Sequence, residues 1–123
     1  MVSSISDSIE GTWLPFKAEL GGECAPDLAL AKLRLVIRAD TYAVHFGREI
    51  TDEGCYTLGT SEFSPTITLA SQQGVNVGQT IPSIYQLKGP LLRICYGLDG
   101  VIPTAFMSAH GSKCYLVSYR RKA

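Results

Sequence analysis

Two histidines, four cysteines, eleven carboxylates and six tyrosines are the side chains with which this chain could do chemistry. The sharpest arrangement is His110-Gly111-Ser112 just before Cys114, which can be drawn as a thiol beside a base. A nucleophilic cysteine needs such a base within hydrogen-bond reach. Gly111-Ser112 reads as a hairpin tip, however, and a tip seldom converges on a pocket, so no catalytic role is expected there. His45 alternates with Val44 and Phe46 and reads as a polar residue of an outer face. Glu10, Glu19, Glu23, Asp27, Asp40, Glu49, Asp52, Glu53, Glu62 and Asp99 fall mostly at strand ends and turns, and no spacing pairs two of them for acid–base work. The glycines form no phosphate-cradling loop between a strand and a helix. Cys24, Cys55, Cys95 and Cys114 are far apart, with no Cys-X-X-Cys and no histidine at ligand spacing, so no metal is expected. Buried free thiols are the simpler reading of the cysteines, and a Cys95–Cys114 bridge the sharper one. The chain is expected to be no enzyme and to need no cofactor.

Binding is the stronger expectation. Tyr42, Tyr56, Tyr85 and Tyr96 sit in or near strands, and Arg93 is a lone cation inside an apolar run. On the inner wall of a closed sheet these five would suit an apolar ligand with an anionic head, since an arginine paired with a carboxylate avoids a large desolvation penalty. The structural alternative is that the tyrosines simply fill the interior while Arg93, opposite in alternation to Leu92 and Ile94, faces outward. A second constellation is structural. Gly11-Thr12-Trp13 opens the first strand with the only tryptophan, and Arg120-Arg121 closes the last. A guanidinium over an indole face is attracted by the ring quadrupole, and such a contact would hold a barrel's two end strands together. Period two sends Arg120 and Arg121 to opposite faces, so only one of them covers Trp13.

The elements that must position these residues are short strands. Turn signals recur at Gly21-Gly22, Ala39-Asp40, Gly47-Arg48, Gly59-Thr60, Gly74, Lys88-Gly89-Pro90, Asp99-Gly100 and Gly111-Ser112, with β-branched and aromatic runs between them. Such spacing predicts an all-β sandwich or barrel. Strands are expected at 11–20, 33–38, 41–46, 53–58, 66–71, 79–87, 91–96, 104–107 and 114–121. Pro15 breaks the ladder of the first, which predicts a bulge or kink just after Trp13. The Ala- and Leu-rich segment 24–32 predicts a helix of about two turns. It would either lid one barrel mouth or pack outside. Residues 1–8 read as a tail and 9–121 as one domain.

The 11 basic and 11 acidic residues cancel, which argues against a nucleic-acid partner. Zero net charge also removes one defence against self-association, so a homodimer is expected. The first residues have neither the basic nor the apolar region of a secretory signal, and no run is long and apolar enough for a membrane helix. A cytoplasmic location and no membrane insertion are the resulting expectations.

Ile9-Glu10-Gly11-Thr12-Trp13, Gly54-Cys55-Tyr56-Thr57-Leu58 and Ser64-Pro65-Thr66-Ile67-Thr68-Leu69 come in order, then Ile84-Tyr85-Gln86-Leu87, Leu92-Arg93-Ile94-Cys95 and Pro103-Thr104-Ala105-Phe106, before a terminal strand ending in arginine. In this order the chain resembles the small lipocalin-like domain family abundant in planctomycetes, bacteria whose members of this family are largely of unknown function. The likeness spans about 9–121. It departs at Ile102, where the family usually carries an arginine before the proline. The resemblance implies a calycin-like, single antiparallel up-and-down β-barrel of about eight strands with one short helix. It implies non-enzymatic binding of a small, largely apolar ligand. The alternative is a protein-interaction or inhibitor module whose barrel is filled by its own side chains and which meets a protein partner.

Overall fold

In the computed structural model, which describes residues 8–122, period-two alternation runs through nine strands. They are β1 (Gly11–Leu20), β2 (Glu23–Cys24), β3 (Leu33–Ile37), β4 (Thr41–Phe46), β5 (Glu49–Thr60), β6 (Pro65–Gly74), β7 (Thr80–Lys88), β8 (Leu91–Gly97) and β9 (Cys114–Arg121), with one helical turn, α1 (Asp27–Leu30). All pairings are antiparallel, and β3 to β9 are neighbours in sequence order. β1 bonds to β3 on one side and to β9 on the other, which closes an eight-stranded up-and-down barrel; β2 is a two-residue ribbon on the end of β1. Closure leaves the eight barrel strands no long free edge, the liability of an open sheet.

The inner face reads directly from the registers. Trp13, Leu35, Ile37, Tyr42, Ile67, Leu69, Ile81, Leu92, Ile94, Tyr96, Val117 and Tyr119 are buried in one cluster. Outward positions on the same strands are mostly polar or partly exposed, apart from a patch at Ile84, Cys95 and Leu116 that the loop 98–113 covers. Three bulges bend the sheet. Phe16 is the extra residue where β1 pairs with β9, at the kink predicted after Trp13. Thr51 is extra where β5 meets β4, and Gln72 where β6 meets β5. Each extra residue swaps the faces of the residues beyond it, and increases local twist and bend.

Two expectations need correction. The segment 104–107 is not a strand. Gly97 of β8 pairs directly with Cys114 of β9, and β9 is bonded on its other side to β1, so no edge is left for it. The loop 98–113 instead folds over the outer face, where Phe106 packs on buried Ile84, Cys95 and Leu116. The helix is four residues rather than about two turns, because Glu23 and Cys24 pair with β1 on one side and β3 begins at Leu33 on the other. It sends Leu30 into the core and leaves Leu28 outside. The tail expected at 1–8 lies outside the described residues except for Ser8.

Candidate functional site

The two ends of the barrel differ. One end, where β1 starts and β9 finishes, is plugged. Trp13 is fully buried, and its Nε1 donates to the Ile9 carbonyl at 2.9 Å. The guanidinium of Arg121 lies 4.3 Å from the indole centroid, while Nη1 donates to the Glu10 carbonyl at 2.7 Å and Nη2 to the Ser8 carbonyl at 2.8 Å. Residues 8–10 are thereby strapped across the end, and the arginine's planar fork is engaged by ring face and backbone together. Arg120 goes to the other face, 5.5 Å from the Phe16 ring. Arg121 is therefore the partner of Trp13.

The other end is open. The segments 21–32, 47–48, 75–79 and 98–113 surround it, and below them lies a half-enclosed cavity of about 150 Å³. Its walls are chiefly Leu33, Leu35, Val44, Leu69, Ile81 and Val117, with Tyr96, Tyr115 and Tyr119 on one side and Asp52 on another. Larger clefts of about 290 and 460 Å³ lie elsewhere. The first involves outward residues of β3 to β6 and the second the rim of the plugged end, so neither enters the barrel. Val75 lines the cavity, and Val77 and Leu28, in the segments at this end, are exposed with it.

The polar contents of the cavity are few and fixed. Asp52 is only 5% exposed. Its Oδ1 accepts from the Ser71 hydroxyl at 2.5 Å, and its Oδ2 from the Tyr42 hydroxyl at 3.3 Å and Asn76 Nδ2 at 3.2 Å. Among the described residues no cation pairs with it; Arg34, on the cavity lining, makes no ion pair there. Opposite, the Tyr96 and Tyr119 hydroxyls bond to each other at 2.7 Å. One of the two must keep a hydroxyl proton free for another acceptor. Burial raises the Tyr42 hydroxyl to about 12 and raises Tyr96, Tyr115 and Tyr119 above their ordinary value. These hydroxyls are neutral hydrogen-bonding groups at any physiological pH.

No protein-family model, curated protein or solved structure matches the chain.

The tyrosines expected to act together are divided by the fold. Tyr96 lines the mouth cavity, and Tyr42 reaches it through Asp52. Tyr56 and Tyr85 line the cleft at the plugged end, with the Tyr56 hydroxyl donating to the Arg38 carbonyl at 2.6 Å. Arg93 is not inside. It pairs across β8–β9 with Ser118 on the outer face, bonds Gln86 Oε1 at 2.7 Å, and stacks 4.2 Å from the Phe106 ring. The loop 98–113 that folds over β8 supplies that ring. Arg93 therefore does not anchor a ligand within the cavity, and the anionic head it was to hold loses its partner.

Asp52, Ser71 and Asn76 are the residues the sequence hid. The sequence pattern puts Asp52 at a strand end or turn, yet β5 runs on both sides of it. Ile50 and Asp52 would share a face in a regular strand, but the bulge at Thr51 leaves Ile50 outside opposite His45 and turns Asp52 inward opposite Val44. His110 lies on the exposed loop, and all four cysteines are free thiols, so the bridge between Cys95 and Cys114 is not formed. Burial raises the Cys95 thiol to about 11. Among the described residues no three His, Cys, Asp or Glu side chains gather as metal ligands, and no helix is long and apolar enough to cross a membrane.

Proposed function

We propose that this protein is a non-enzymatic carrier or sensor that takes one small, largely apolar molecule into the open end of its barrel. The observation that carries the reading is the mouth cavity: about 150 Å³, apolar on most of its wall, with a few fixed polar groups. That combination is the ordinary composition of a small-molecule site, in a volume below the usual range. Dry apolar cavities of comparable size accept a single aromatic ring, so the ligand class is of that order rather than a long lipid. The expected lipocalin-like character and bacterial, cytoplasmic setting belong to this proposal.

A second reading has its own observation. Leu28, Val75 and Val77 expose apolar side chains around the mouth, a surface a protein partner or a second copy of the chain would cover. One experiment separates the two. Toluene should raise the melting temperature of the protein, and Val117→Phe, which fills the cavity from its wall, should abolish that rise while the variant still unfolds cooperatively. Absence of any toluene effect on the unmodified protein would leave the rim, and the partner reading, in its place.

A further inference from the structure

Resting on the cavity reading, we infer that the ligand's polar group is a protonated amine, held by Asp52. The barrel carries one buried carboxylate on its cavity wall and, among the described residues, no ion-paired counter-charge for it. A buried charge is costly unless it is paired or well bonded. Here three donors, from Tyr42, Ser71 and Asn76, hold it in place. A carboxylate offers about four lone-pair positions. Oδ2 has two donors and Oδ1 has one, so the remaining position is on Oδ1.

That leaves room for a single strong donor, and the unpaired negative charge favours a positive one. An N–H of an ammonium bonded to a carboxylate is roughly twice as strong as a neutral pair. Much of the remaining wall, Leu35, Leu69, Ile81 and Val117, is apolar and would take a ring or short branched chain. The molecule this arrangement fits is a compact amine on an apolar body. A carboxylate ligand would meet Asp52 as a like charge; Arg93 is outside the barrel, and Arg34, beside the lining, pairs with His45 on the outward face, so neither offsets it.

Titration calorimetry near neutral pH with benzylamine, benzyl alcohol and benzoate tests the inference, because the three differ chiefly in the charge of the polar group. Benzylamine should bind about ten-fold or more tightly than benzyl alcohol, and benzoate least. Asp52→Asn should remove the advantage of benzylamine while keeping benzyl alcohol binding. Benzyl alcohol binding as well as benzylamine, or an amine preference that survives Asp52→Asn, overturns the amine and leaves the apolar cavity standing. Failure of all three, together with no toluene effect, overturns the cavity itself. Should Asp52→Asn not fold, the ranking of the three compounds on the unmodified protein decides the matter alone.

Discussion

Arg120 and Arg121 carry the same charge one residue apart, yet the barrel treats them differently. Arg121 faces the indole and bonds two backbone carbonyls, while Arg120 lies over half-exposed Phe16. Arg121→Ala should therefore cost about 1–3 kcal/mol, the scale of a partly desolvated cation–π contact with charged hydrogen bonds. Arg120→Ala should cost less than about 1 kcal/mol. Denaturant unfolding of both variants checks the difference, and equal losses would mean the strap over Trp13 is not held as described. That one arginine covers the tryptophan is legible in the sequence, because Gly-X-Trp and a terminal Arg-Arg are local signals. Which of the two does so is not. The bulge at Phe16 lies between Trp13 and the rest of β1, and decides how the end strands meet.

At the scale of elements, the meander is legible in the sequence and its irregularities are not. Glycine-marked turns and runs of Val, Ile, Tyr and Thr place β1, β4 and β9 with their full bounds, and most others within a few residues. β5 is the exception that matters. Its polar opening, Glu49-Ile50-Thr51-Asp52, has no clean alternation, so it reads as turn rather than strand. A bulge cannot be seen in periodicity that it is itself interrupting. The same strand carries Gly54, where an added Cβ would collide with the Ala70 carbonyl oxygen. There β5 and β6 approach as closely as backbones allow, just beside the Gln72 bulge. Gly54→Ala should force the strands apart and cost about 1–3 kcal/mol, as overpacking does. A urea midpoint unchanged from that of the unmodified protein would show the approach to be slack. Segment 104–107 misleads for the opposite reason. Its composition suits a strand, but no strand edge is left to receive it.

For the whole molecule, all six tyrosines have raised hydroxyl pKa values, so the barrel as a unit carries an alkaline liability. Tyr42, Tyr56, Tyr85, Tyr96, Tyr115 and Tyr119 are all shifted upward by burial. Below about pH 10 a tyrosine is neutral folded or unfolded, and burial is uncontested. Above it the unfolded chain ionises first, while Tyr42 keeps its proton to about 12. Stability should therefore be full below about pH 10 and fall as pH rises towards 12 and beyond. Tyrosinate absorbance should appear together with loss of the β-sheet circular dichroism, rather than ahead of it. Independent titration of most tyrosines near 10, with the sheet intact, would contradict this burial. The seam between β1 and β9 has a consequence in time. Every other barrel pairing joins strands close to one another in the chain, but the Arg121–Glu10 contact spans 111 residues. Loop-closure entropy must be met before so distant a contact returns anything, so the nearby hairpins are able to form before the ring shuts. Interactions absent from the folding transition state act on the rate of unfolding. The strap of Arg121 over Trp13 thus sets how long the closed ring survives more than how fast it is made.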